Sequence, residues 1–389
     1  MPRKLLTLLI LICLAITGLQ RALADFEHPI AVRQWSNSAF TIETMHNMHV
    51  GIGLNEADVK RLPRAVDFQV EDVVPDGNAI VRWSDETSSV ATLSYDERGN
   101  NHLAQDITVV RGSWGMSGAK LVSVDGVQVV DLNAVAENEI DAWLKNPIVA
   151  EIGKPWLTVI ATSAAFDADQ LKAMRDKLNP QLMIVNSSIG KIDNQKVESI
   201  SHNTVAVSAP AKIDNEGKTR FVSLGDQPWK MTEELAGLFA KKEAACKSSR
   251  EMFAKLSVNQ MNFKPKNGSH TPRWNAEHMM GRELLFFSQI FHAVDPMIPV
   301  MDLNPRQMPK DYTFAHSDWS GAEEAAQMMR VEAFTRRFAY MLEGMELDAK
   351  ATGSKMWSPR RLLKQMERHY NEHSANVVKK MDLEGWPAP

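Results

Sequence analysis

Residues 358–381, SPRRLLKQMERHYNEHSANVVKKM, decide how the chain is read. Ser358 can cap a helix and Pro359 can open one, because proline lacks only an N–H that the first helical turn leaves unbonded anyway. At about 100° per residue, Leu362, Met366, His369, His373, Val377 and Lys380 fall on one side. His369 and His373 are therefore one turn apart on an inward face. Two imidazoles that face an apolar core need partners. They can hold one metal ion between them if a third ligand arrives from another element.

The residues before this stretch are also helical in pattern. Thr232 caps a first helix, with Glu233 and Glu234 in its opening turn, where carboxylates suit the helix dipole. Leu235, Leu238, Phe239 and Ala245 begin its core side, and Phe253 and Leu256 extend it. Thr271 caps a second helix, Pro272 opens it, and it runs to about residue 293. Ser320, with Glu323 three residues on, is the capping box of a third. That helix carries Met328, Met329, Val331, Phe334, Phe338 and Met341 and is expected to stop at Gly344. Four helices of about 20 residues predict a bundle. Between the second and third lies a loop with Pro296, Pro299, Pro305 and Pro309, long enough to cover a site.

Three segments together resemble the DinB-like family: 256–265, LSVNQMNFKP; Trp274-Asn275-Ala276-Glu277-His278; and His369-x3-His373 on the last helix. The resemblance spans roughly residues 232–387. It implies a bundle that binds a divalent metal ion (Zn, Ni, Mn or Fe) through three histidines, which here are His278, His369 and His373. It also implies, for some members, metal-dependent transferase chemistry on small thiols. His292 lies on the His278 side of its helix but roughly 21 Å further along, too far to share one ion. His316 is expected as a solvated loop residue within reach of the site from above.

The first half reads as strands. Phe40-Thr41-Ile42-Glu43, 79–83, 90–93 and 107–110 are short β-type runs, and Asp125-Gly126 joins 121–124 to 127–132 as a hairpin. Then the apolar runs 156–161 and 182–185 flank a helix over 167–178, which predicts a right-handed βαβ unit. Arg33–Phe40 and Asn179–Val185 resemble the opening and late strands of the metallo-β-lactamase fold. That family's HxHxDH metal motif is absent from the sequence, so its hydrolase chemistry is not implied. His46, His49, His102 and His202 are expected as surface or hydrogen-bonded loop residues.

The expected fold class is therefore α+β in two domains: a mixed α/β sheet-layer domain, metallo-β-lactamase-like and non-catalytic, over 25–225, and an up-down four-helix bundle over 226–389. The polar, Pro- and Gly-containing segment 210–230 marks the boundary. Ahead of both, Arg3 and Lys4, the apolar run 5–16 and Ala22-Leu23-Ala24 read as a signal peptide cleaved after Ala24. This predicts a periplasmic or secreted chain with no membrane span after cleavage; an uncleaved membrane anchor and attachment of a lipid through Cys13 are the other readings.

Cleavage takes Arg3, Lys4 and Arg21 and no acid, so the net charge of −4 becomes −7. A mildly acidic chain is not expected to bind nucleic acid. Cys246 would then be the one cysteine, so no disulfide forms within the chain and stability rests on core burial. The expected partners are a small-molecule ligand and a second copy in a homodimer. Function divides into two classes. One is a metal-dependent transferase or hydrolase, for which Glu277 is the nearest candidate base and the Pro-rich loop with Trp319 the wall. The other is a non-enzymatic binding or structural protein.

Overall fold

A computed structural model describes residues 29–45, 47–66, 68–70, 89–95, 105–111, 119–124, 127–145, 156–208, 219–302 and 316–388. The signal segment with Cys13, the strand at 79–83, the Asp125-Gly126 turn, His46, His102, much of the 210–230 junction, Pro305 and Pro309 lie outside these residues. No helix among the described residues is long and apolar enough to cross a membrane.

The described chain is α+β. Its strands are β1 (Ile30–Gln34), β2 (Phe40–Glu43), β3 (His49–Ile52), β4 (Phe68–Val70), β5 (Ser89–Tyr95), β6 (Gln105–Arg111), β7 (Lys120–Val124), β8 (Val127–Asp131), β9 (Trp156–Ala161), β10 (Leu182–Val185), β11 (Lys191–Ile192), β12 (Gln195–Lys196), β13 (Glu198–Ile200), β14 (Thr204–Val207) and β15 (Arg220–Leu224). Its helices are α1 (Glu56–Arg61), α2 (Ile140–Leu144), α3 (Ala168–Leu178), α4 (Glu233–Phe253), α5 (Val258–Met261), α6 (Pro272–Val294), α7 (Gly321–Arg337) and α8 (Pro359–Met381). A five-stranded sheet runs β14-β1-β2-β3-β4 and an eight-stranded one β13-β15-β10-β9-β8-β7-β6-β5.

The expected hairpin forms: β7 and β8 pair antiparallel, with Val124 opposite Val127. So does the βαβ unit, for β9 and β10 are parallel and α3 connects them. Asp167 caps α3 through a capping box with Gln170, and Asn179 ends it in the left-handed conformation. Arg33–Phe40, expected as one strand, is instead the bend of a hairpin. Gln34 pairs with Phe40, and Trp35 donates its N–H to Ala39 O, because Ser36-Asn37-Ser38 favours a turn. His49, expected in a loop, is fully buried in β3, where Nδ1 meets Ala65 O at 3.1 Å.

The alternation of side chains along β9 and β10 separates two cores. Leu157, Val159, Ala161, Met183 and Val185 pack with Leu171, Met174 and Leu178 of α3. Ile160, Leu182 and Ile184 belong to a cluster shared with the five-stranded sheet. That cluster is continuous with the apolar stripes of α4, α6, α7 and α8, so the core crosses residue 225.

The four long helices pack in a ring: α4 on α7 and α8, and α6 on the same two. The expected caps Thr232, Thr271 and Ser358 each accept the main-chain N–H of the third residue into the helix. The helix from Ser320 ends sooner than expected, at Arg337, and a 3-10 turn (Ala339–Leu342) carries the chain to Gly344, whose φ is 71°. Inside the ring, Glu283 Oε1 accepts from Lys242 Nζ at 2.7 Å and Oε2 from Tyr370 OH at 2.7 Å. Burial alone would discharge Lys242, but the Glu283 carboxylate outweighs it and holds the ammonium above its ordinary value.

Candidate metal centre

Two helices carry the site. On α6, the Thr271 cap and Pro272 fix the start, so Trp274, Asn275 and His278 occupy the first two turns. On α8, Ser358 and Pro359 do the same, and His369 and His373 follow in mid-helix. Because α6 and α8 are neighbours in the ring, His278 meets the α8 pair. Ring centroids lie 4.9 Å apart for His278 and His369, 5.1 Å for His278 and His373, and 4.4 Å for His369 and His373. One nitrogen from each ring falls within 4.8 Å of the other two. The three histidines expected from the sequence are therefore one cluster that could hold a metal ion.

Helix α6 at first looks wrong for this role, since its apolar stripe of Met280, Leu284, Phe287 and Phe291 is on the other side from His278. Every residue from Thr271 to Gly281 is nonetheless buried. The helix is enclosed on both sides, and its second buried side holds the histidine.

The donor set suits a divalent ion. Burial, and then the neighbouring His373 and His278, push the His369 imidazole down to about 3. Burial likewise takes His373 to about 4. Both rings are thus neutral at ordinary pH, the form that ligates. His373 donates Nδ1–H to Asn275 Oδ1 at 2.7 Å. The amide is oriented by its other end, where Asn275 Nδ2 donates to Thr271 O at 2.7 Å. This leaves the Nε2 lone pair of His373 for a ligand, the tautomer that outer partners of metal-bound imidazoles commonly set. His369 Nδ1 is buried with no hydrogen-bond partner among the described residues, a cost that a cation would remove. His278, His369 and His373 would hold the ion.

Aromatic side chains wall the cluster. Trp274 stacks on His278 with centroids 4.4 Å apart and planes 10° apart, and His270 stacks on Trp274 at 3.6 Å and 11°. The sequence places Trp274 and Asn275 in the motif that ends at His278 but assigns no role to Asn275 or His270. Asn275 was findable, since it stands three residues before His278 and so on its face. His270 precedes the cap, where no helical period applies.

The other candidates lie elsewhere. Glu277 is fully buried, accepts the main-chain N–H of His316 at 3.2 Å and sits beside Glu324. Burial and then the Glu277 charge push Glu324 well above the carboxylate range, against the pull of Arg273 at 2.7 Å. Trp319 is buried; its carbonyl accepts from Arg273 and its ring stacks on His316 at 3.6 Å, so His316 is a packed residue rather than a solvated one. His292 is exposed at the far end of α6 and bonds Ile298 O at 2.7 Å. No known family model, curated protein or solved structure matches this chain.

Proposed function

We propose that the chain is a metalloprotein in which His278, His369 and His373 hold one divalent ion (Zn, Ni, Mn or Fe) within a DinB-like up-down four-helix bundle. The observation that carries this reading is the convergence of three buried or half-buried imidazoles, one of them with an orphaned ring nitrogen. A bound ion of this kind supplies Lewis acidity and lowers the pKa of a water or thiol in an open position. The chain's own contribution is orientation and exclusion of water. Asn275 holds the His373 ring, Trp274 covers His278, and burial keeps the imidazoles uncharged. On this reading a small molecule reaches the open position and the protein is a metal-dependent transferase or hydrolase exported from the cytoplasm. Glu277 is buried and accepts the main-chain N–H of His316, which speaks against it as the general base. That favours, as the second reading, a non-enzymatic protein whose site is structural.

Elemental analysis of the full chain, purified without chelators, tests the first step. One transition-metal ion per chain is expected, and none in His369→Ala. A metal-free wild-type chain that also fails to take up any of these four ions overturns the proposal. A structural ion makes removal lower the melting temperature, whereas a catalytic one makes His373→Ala lose turnover and keep the fold.

A further inference from the structure

Away from the histidines, a cleft of about 880 Å³ opens where the five-stranded sheet meets α4, α7 and the 228–231 linker. Among the described residues six cations line it: Arg33, Arg61, Arg64, Lys230, Arg336 and Arg337. One carboxylate, Glu43, is among the lining residues. This concentration of positive charge stands in a chain whose net charge is −4.

Part of it is structural. Arg337 is buried and donates Nε–H to Glu43 Oε2 at 3.1 Å and an Nη2 proton to Asn47 Oδ1 at 2.9 Å. Arg33 Nε lies 3.2 Å from the other Glu43 oxygen. Arg336 and Arg337 also end α7, where cations suit the helix dipole. These roles use one carboxylate for two guanidinium groups. Arg61, Arg336 and Lys230 are neutralised less well. Arg61 gives its N–H groups to the main-chain carbonyls of Trp35 and Asp226, which carry no net charge. Arg336 points Nη1 at the Met231 thioether, a weak acceptor, and has Glu243 only at 3.4 Å from Nε. Lys230 is exposed.

The field of these groups reaches the wall behind them. The His202 ring, 4.5 Å from that of Tyr340, is pushed down to about 4 by burial and then by Arg33. Trp229 and Tyr340, both half-buried, supply flat apolar surface beside the cations. The volume matches that of small-molecule sites, about 300–1,000 Å³. Guanidinium forks pair with phosphate and carboxylate oxygens two at a time.

We propose that this cleft binds a small molecule that carries two or more negative charges, as phosphate or carboxylate groups, on a planar or apolar body. The anion sits among Arg61, Lys230 and Arg336, and the body lies against Trp229 and Tyr340. Because α7, the linker and β1 all face the ligand, its binding ties the sheet half to the helical half. This inference does not rest on the metal site.

Calorimetric titration of the full chain with inorganic pyrophosphate and with citrate, at constant ionic strength, tests it. Saturable binding of at least one is expected, weakened at least tenfold, about 1.4 kcal/mol, in Lys230→Gln/Arg336→Gln. Both positions are exposed, and the single variant Lys230→Glu repeats the test should the double variant fold poorly. Tighter binding of pyrophosphate assigns a phosphate ligand, and tighter binding of citrate a carboxylate. Because both anions chelate metals, the titration is repeated on His373→Ala, where the affinity is expected to be unchanged. Failure of both anions to bind at about 10 mM overturns the proposal. Equal affinity in the charge variants, or loss of binding with His373→Ala, also overturns it.

Discussion

Asn275 decides which nitrogen of His373 faces a ligand. Its carbonyl oxygen takes the Nδ1 proton at 2.7 Å, and its NH₂ is tied to Thr271 O, so the amide cannot turn over without losing both bonds. Asn275→Ala frees the ring to rotate and to exchange tautomers. Metal affinity is expected to fall about 10–100-fold, as for other outer partners of ligating imidazoles. Competition with a chromogenic chelator measures this, and Asn275→Asp, which keeps the acceptor, is expected to retain most of the affinity. Wild-type affinity in Asn275→Ala would leave the amide with no part in the site.

The elements of the helical half depend on close approach as well as on caps. Gly321 is the first residue of α7, and its N–H bonds Leu256 O at 2.9 Å. A Cβ there would come within van der Waals overlap of Phe253 O, the end of α4. Gly321→Ala must therefore push α7 away from α4, and a loss of about 1–3 kcal/mol is expected from overpacking. Urea unfolding of the variant against wild type checks it, and an unchanged midpoint would mean that the helix ends move apart freely. Much at this scale is legible in the sequence. Thr232, Thr271, Ser320 and Ser358 announce their helices because capping is local chemistry. The βαβ unit at 156–185 is legible because an apolar run, a capped helix and a second apolar run admit few other arrangements. The β3 strand is not, since Gly51 and Gly53 read as loop and its pairing partners are settled by tertiary contact. The meeting of His278 with His369 was legible only through the family resemblance. The helical period gives a face for each residue, but not which helices become neighbours.

At the scale of the whole molecule, Glu43 joins the two halves, because it pairs with Arg33 of the sheet and Arg337 of α7. Burial would raise its carboxyl, but the two guanidinium groups, with His49 behind them, outweigh burial and hold it at about 2 against an ordinary 4.5. The folded value is the lower one, so as pH falls the unfolded chain takes up the proton first. The stabilisation is complete above pH 4.5 and is lost as pH drops toward 2. It amounts to about 3 kcal/mol at most. Urea midpoints followed through that window are expected to fall in the wild-type chain. Glu43→Gln is expected to be less stable at neutral pH and to lose this part of the slope.

The Cys246 side chain is fully buried on α4, and burial, then the Glu283 charge, raises its thiol well above the ordinary value. Alkylating reagents attack the thiolate, so in the closed ring this sulfur is both uncharged and out of reach. Its modification therefore keeps time for the opening of the ring. In a Cys13→Ser chain, maleimide uptake is expected to follow the fraction of molecules in which α4 has separated from its neighbours, and to slow when metal is added. Rapid uptake by the native chain, at the rate of a free thiol, would mean that the ring stands open in solution.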